Sequence, residues 1–419
     1  MSGCTGTRPE GCKERIEEHD PCESAAAPCT GPAARRNGAL AWFGDMIDHC
    51  YEYASAASAE GRPIVGIMCE YTPREIIMAA GAVPVCLCGG SAETIPAAEE
   101  ELPSNLCPLI KSTYGFCLEK SNPFLEMASL VVAETTCDGK KKMFELMARR
   151  KPMHLIELTQ KSDDPEAFAH WHAELGKLKA ALERRFETTI TDDALRAQTE
   201  LMNKERALRR NLAVLMRRTR PPLAGRELLS LKTSIAAMPE ALAQYARARE
   251  EFEGAEGPPE MARRVRVLLT GVPVVHGAER VVELIESAGG LIAAMENCTG
   301  LKPILDDVAP NAPDPLRALA EKYYRLHCSV MTPNTRRQEF LRELARDYGV
   351  QCVIDLVWQA CLTYDVEAAL IRRFVEDELH LPYLRIETDY SPSDSARIQV
   401  RVEALYETVR RNAKGCTRA

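Results

Sequence analysis

Sixteen of the 419 residues are cysteine, and several stand where an apolar run gives way to a loop or a helix. Cys69 closes the run 63–68. Cys137 follows the run 129–134 and precedes Asp138-Gly139 and the lysines Lys140 to Lys142. Cys298 and Cys361 also follow apolar runs, and Cys107 and Cys328 fall in the intervening loops (Leu106-Cys107-Pro108, His327-Cys328-Ser329). A thiolate is stabilised at a helix N-terminus and beside lysine. Thiolates are the ligands that iron–sulfur clusters require, and those ligands can be far apart in sequence. Zinc is the rival soft-ligand reading, but paired knuckles of the C-x2–4-C kind are missing, as is the C-x-x-C-x-x-C run of bacterial ferredoxins. Any cluster here is therefore assembled by the fold. For a single cysteine the alternative is a small buried apolar side chain. The cysteine content stays well below the roughly 8–10% of a disulfide scaffold, and in a reducing compartment a surplus of thiols points to metal or redox chemistry.

The elements that must position these residues are legible as alternating apolar runs and amphipathic stretches. Strands are expected over 63–68, 83–87, 129–134 and 153–158, with a helix over 39–57 and another over 140–148. A further helix is expected from Thr72-Pro73-Arg74-Glu75, a capping box with Pro at the first helical position, to Gly81. A second alternating unit has strands over 265–269, 291–295, 352–358 and 383–387. Its helices are expected over 278–287, 315–325, 336–348, 366–378 and 394–411. Such alternation predicts an α/β protein with two doubly wound sheets. Between them, 165–253 is rich in Ala, Leu, Glu and Arg at helical spacing and is broken at Pro221-Pro222. It reads as a helical insert whose basic stretch, Arg209 to Arg220, is a solvated face. Residues 1–38, with Cys4, Cys12, Cys22 and Cys29 among Gly, Pro and charges, read as a flexible leader. The expected division is a leader at 1–38, a first α/β domain at 39–160, a helical insert at 161–262 and a second α/β domain at 263–419. The two α/β units read as distant copies: Cys88-Gly89-Gly90 in the first corresponds to Cys298-Thr299-Gly300 in the second. Such a pair sets two carboxyl-terminal strand edges across one cleft, where open α/β sheets bind ligands.

Composition narrows the function. The net charge of −8 argues against nucleic acid or an anionic membrane as partner. No apolar run approaches the roughly 18 residues of a membrane helix. The first residues lack a signal-peptide h-region, so a cytoplasmic protein is expected. There is no G-x-x-x-x-G-K-[ST] loop with which the chain would hydrolyse ATP, and no G-x-G-x-x-G for a nicotinamide cofactor.

Three segments of the first half are similar to the 2-hydroxyacyl-CoA dehydratase/benzoyl-CoA reductase family: Met68-Cys69-Glu70-Tyr71-Thr72-Pro73-Arg74-Glu75, Leu106-Cys107-Pro108-Leu109-Ile110-Lys111-Ser112 and Glu134-Thr135-Thr136-Cys137-Asp138-Gly139-Lys140. In the second half, Met295-Glu296-Asn297-Cys298-Thr299-Gly300, Tyr323-Tyr324-Arg325-Leu326-His327-Cys328-Ser329 and Trp358-Gln359-Ala360-Cys361-Leu362-Thr363-Tyr364 resemble its double-cubane cluster branch. The likeness runs in order from about residue 60 to about 411. It implies two Rossmann-like (flavodoxin-like) domains with an iron–sulfur cluster between them. Carried over by position, Cys107, Cys137 and Cys361 match the family's common iron ligands, with Cys298 and Cys328 as the additions of the double-cubane branch. Cys69 is taken as the sixth, with Cys88 in reserve. The cofactor implied is a double cubane, two [4Fe-4S] units bridged by sulfide. The activity implied is that of an anaerobic oxidoreductase, fed electrons by a separate ATP-hydrolysing [4Fe-4S] activator and reducing a small molecule, in a homodimer. His276, Glu70 and Tyr71, at predicted strand ends, are the candidate proton donors. The alternatives are a single-[4Fe-4S] subunit of a 2-hydroxyacyl-CoA dehydratase and, from another class, a non-catalytic electron relay.

Overall fold

The computed structural model describes residues 38–416; the expected leader and its four cysteines lie outside them. The described chain carries two four-stranded sheets, all parallel. The first comprises β1 (Ile64–Ile67), β2 (Val83–Cys86), β3 (Leu130–Glu134) and β4 (Met153–Ile156) in the order β2-β1-β3-β4. The second comprises β5 (Val265–Gly271), β6 (Gly290–Met295), β7 (Cys352–Trp358) and β8 (Tyr383–Thr388) in the order β6-β5-β7-β8. The two orders are the same, as the likeness between the halves suggested. In both, the chain crosses from one side of its first strand to the other, and ligands of open α/β sheets gather outside the strand ends at such a reversal.

β1, β3, β6 and β7 are buried along their whole length. This is why they read as unbroken apolar runs: crossover helices cover both faces of a parallel sheet. Of the edge strands, β4 and β8 are only partly buried. One apolar core runs through both halves, taking in Val85 and Val131 from the first sheet and Leu268 and Ile354 from the second.

The expected insert is helical, over Pro165–Phe186, Asp192–Val214, Gly225–Ser230 and Pro239–Glu253, and the helices stop around the predicted Pro221-Pro222 break. Trp171, Leu175, Leu178 and Leu182 recur at helical spacing and pack into a second core with Val65, Ile67 and Val132.

Two local expectations change. The helix after Cys69 spans Arg74–Ala79 with Pro73 at its N-cap and no side-chain cap. Thr72 donates its hydroxyl to the Glu134 carboxylate instead. Glu75 accepts from Arg206 at 2.5 Å and from the Tyr323 hydroxyl at 2.8 Å. Both side chains are buried, and a buried polar group takes the strongest partner within reach, here a tertiary one. The basic stretch 209–220 is not a solvated face. Arg210 grips Asp307 with two hydrogen bonds of 2.8 and 2.7 Å. Arg217 pairs with Asp347 at 3.1 Å and lies over the Tyr348 ring. Arg218 and Arg220 donate to the backbone carbonyls of Glu253 and Gly257. The guanidinium groups tie this stretch down.

The halves meet at close quarters through a glycine. A Cβ on Gly90 would lie 2.1 Å from the carbonyl oxygen of His276, so only glycine lets the loop after β2 approach the loop after β5.

Candidate functional site

Cys69, Cys107, Cys137, Cys298, Cys328 and Cys361 all line one cavity of about 790 Å³ between the two halves. Three occupy equivalent local positions. Cys107 is the N-cap of the helix Pro108–Glu119, Cys137 that of Asp138–Met147 and Cys361 that of Leu362–Arg373. Each thiol therefore sits against the positive end of a helix dipole, where a thiolate is favoured. Backbone N–H groups of Leu109 and Ile110 point at the Cys107 sulfur, that of Lys140 at Cys137 and that of Tyr364 at Cys361. The other three stand on loops: Cys69 just beyond β1, Cys298 beyond β6 and Cys328 beyond the helix Pro315–Tyr324.

The thiols perturb one another. Cys107 is held below its ordinary pKa, chiefly by a hydrogen bond with Cys361, and the same contact pushes Cys361 up. Burial raises the Cys69 and Cys137 thiols and pushes Cys298 up to about 12. Of Lys140 to Lys142, only Lys140 turns inward; Lys141 and Lys142 are exposed. The Lys140 ammonium donates to the Met68 carbonyl at 2.9 Å. Burial works against its charge, but Cys69, Cys88, Cys137 and Glu134 outweigh that cost and raise its pKa.

Behind Cys298 and Cys328 lies a buried charge network that the sequence did not signal. Glu296 is fully buried. Its carboxylate lies 3.0 Å from Lys302, 3.0 Å from His327 and 3.5 Å from Arg337, and it accepts from Thr270 at 2.6 Å. Burial alone would raise the Glu296 pKa; Lys302 and Arg337 hold it well below the carboxylate range. Arg337 continues to Glu367, on the helix that Cys361 opens. The network thus joins the supports of Cys298, Cys328 and Cys361. A glutamate after a strand carries no mark of this in sequence, because its partners lie 6, 31 and 41 positions downstream.

The candidate proton donors fall elsewhere. Tyr71 is buried and donates to the Leu326 carbonyl at 2.6 Å. Glu70 pairs with Arg74 at 2.8 Å. His276 is exposed, with Nδ1 3.8 Å from Glu279. None of the three lines the cysteine cavity. Glu70 and His276, with Cys86 and Cys88, line a second chamber, and Cys298 borders both. Cys88 lies 3.4 Å from the Met68 carbonyl. Cys69 thus faces the shared cavity and Cys88 the neighbouring chamber. Among the described residues, no three His, Cys, Asp or Glu side chains converge closely enough to hold a single metal ion.

Two parallel sheets with soft sulfur donors converging between them define a cysteine-lined α/β protein, and comparison with known proteins gives the family. Residues 69–409 match the sequence model of the 2-hydroxyglutaryl-CoA dehydratase D-component family, and the chain belongs to that family. It is 42% identical over 354 residues to a putative dehydratase subunit, YjiM, of Escherichia coli strain K12, covering 83% of this chain and 91% of the relative. It is 21% identical to the (R)-phenyllactyl-CoA dehydratase beta subunit of Clostridium sporogenes, over 88% of this chain and 97% of that one. A subunit of the benzoyl-CoA reductase of Thauera aromatica is 32% identical over 152 residues, 35% of this chain and 38% of that relative. Among the described residues no helix is long and apolar enough to cross a membrane.

Proposed function

We propose that the chain is an iron–sulfur oxidoreductase of the double-cubane branch of its family, built from two Rossmann-like domains at 39–160 and 263–419 with the helical insert between them. The observation that carries this reading is the convergence of six cysteines from both halves on one cavity. The donor set fits the group. It is rich in soft sulfur, which suits iron–sulfur clusters. Buried thiols with raised pKa values bind no cation as they stand, and ligation by iron would deprotonate them. Cys107, Cys137 and Cys361, each at a helix N-terminus, would be the common ligands; Cys69, Cys298 and Cys328 would complete the set, with Cys88 as the substitute for Cys69. Bound there, the cluster would supply single electrons at low potential.

An ATP-hydrolysing [4Fe-4S] activator would deliver those electrons, and a small molecule would be reduced, in a cytoplasmic homodimer. Relatives named as subunits of dehydratases and a reductase support a multi-component system. Lys140 would offset negative charge at the cluster. Glu70 and His276, in the chamber beside Cys298, stand nearer to a proton-donating role than Tyr71, whose hydroxyl is committed to Leu326. A second reading, a single-[4Fe-4S] dehydratase subunit, is favoured by the N-cap trio, since three equivalent thiols suffice for one cubane. An electron relay would use the same ligands without turnover.

Iron and acid-labile sulfide per chain, after anaerobic purification, decide among these. About eight irons, with loss in Cys298→Ser and Cys328→Ser, is the expected result. About four irons, indifferent to those substitutions, would move the assignment to the dehydratase subunit, and zinc or no metal would overturn both. Two cubanes with no reduction of any substrate by the activated protein would leave the relay.

A further inference from the structure

The chamber beside the cysteine cavity has a charge balance of its own. It is a space of about 120 Å³, with Cys298 on the wall it shares with the thiol cluster. A buried water needs on the order of 10–15 Å³, so the chamber takes several waters or a molecule of comparable size and is too small for an acyl-CoA. Five cationic side chains border it, against two carboxylates. The arginines are matched: Arg74 with Glu70 at 2.8 Å, Arg206 with Glu75 at 2.5 Å and Arg209 with Glu205 at 3.4 Å. The lysines are not. Lys232 donates to the Val274 carbonyl at 3.1 Å; Lys322 donates to the Pro303 carbonyl at 3.1 Å and lies over the Tyr323 ring, 4.1 Å from its centroid. Among the described residues neither has a carboxylate oxygen within 4.0 Å.

An ammonium taken out of water without a counter-charge is costly, and proteins normally pair it. Lys322 is buried, and that burial, with Arg206 and Arg74 nearby, lowers its pKa well below the ordinary lysine value. Two lysines without a carboxylate partner border one small chamber with room for only a few heavy atoms, and an anion there would supply the counter-charge that both lack. Thr233 and Ser234 add hydroxyls to its wall.

We propose that this chamber binds a small anion, a carboxylate or oxyanion of a few heavy atoms, held between Lys232 and Lys322. Its place beside Cys298 makes that anion the substrate class of the oxidoreductase, a step that rests on the function proposed above; the binding itself does not. Small size and recognition by charge between two lysines would exclude thioesters and admit formate- or nitrate-sized molecules.

The test is calorimetric titration of sodium formate and of sodium nitrate into the anaerobically purified holoprotein. Ionic strength is held with gluconate, which is too bulky to enter, and neither reductant nor activator is present. One-site saturable binding of at least one probe is expected, weakened tenfold or more in Lys322→Gln and in Lys232→Gln. It should be unchanged in Lys204→Gln, an exposed lysine on the same helix as Arg206. Should Lys322→Gln fail to fold by circular dichroism, Lys232→Gln decides alone by the same threshold. No saturable binding in the wild type, or equal affinity in the folded lysine variants, overturns the proposal. Iron is counted on the same samples, so a failed titration with full iron sinks only the anion site. A deficit of iron with intact binding sinks only the oxidoreductase.

Discussion

Glu296 shows how a single side chain can govern a site it does not line. Its carboxylate is the common counter-charge for Lys302 and Arg337 and lies 3.0 Å from His327, directly behind Cys298 and Cys328. Removing one member of a buried charge network strands the others, at a cost on the order of 3–5 kcal/mol. Glu296→Gln should therefore lower stability by that amount and reduce iron retained per chain, read by denaturant titration and metal analysis. Lys232 makes a pH prediction. Burial depresses its pKa to about 8, against an ordinary value of 10.5. The unfolded chain then binds more protons than the folded one between those values, so stability rises with pH across that window and is lost as pH falls back through about 8. Lys232→Gln should abolish that rise, seen by comparing denaturation midpoints at pH near 8 and near 10 in wild type and variant. The cysteines were legible as candidates because each follows an apolar run or sits beside one. Their distribution between two chambers was not: Cys69 and Cys88 stand after adjacent strands, and only side-chain direction separates them.

At the scale of elements, the helix Leu362–Arg373 exposes an apolar stripe. Leu362 is 73% exposed, Val366 73% and Leu370 56%, and their four-residue spacing puts them on one face. A stripe of this kind usually marks a contact surface. Leu362 also lines the cysteine cavity, so the stripe adjoins the site, and under the function proposed above it is where an activator would dock. Val366→Asp should leave iron content unchanged and slow ATP-dependent reduction tenfold or more, measured by stopped-flow absorbance with activator and ATP. An unchanged rate would show that the stripe takes no part in activation. Strand positions were readable to within a few residues because buried parallel strands are continuous apolar runs. Helix starts were less so. The helix after β7 was expected from residue 366 and begins at Leu362, since Cys361 serves as N-cap where no Ser, Thr, Asp or Asn advertises one. The Thr72 and Glu75 capping pair failed for the opposite reason: the signal was present, but tertiary partners took both side chains.

The whole molecule depends on two similar sheets being brought together, and at Gly90 the first half comes so near the His276 carbonyl that no Cβ fits between them. Gly90→Ala would place a methyl 2.1 Å from that carbonyl, so the halves must part or distort, costing about 1–3 kcal/mol. Because Cys69, Cys107 and Cys137 come from one half and Cys298, Cys328 and Cys361 from the other, iron loading should fall along with the denaturation midpoint. Unaltered loading in a destabilised variant would show that the cavity tolerates the opening.

Apolar periodicity and motif order are local properties of the chain, and they sufficed for the α/β alternation, the helical insert, the family and the six candidate cysteines. Tertiary structure was needed to show which thiols share a cavity, that three of them cap helices, that Glu296 and Arg337 brace the site and that Lys232 and Lys322 have no carboxylate partner. Those are matters of distance between segments remote along the chain, and a residue's partners across a packed interior leave no mark at its own position.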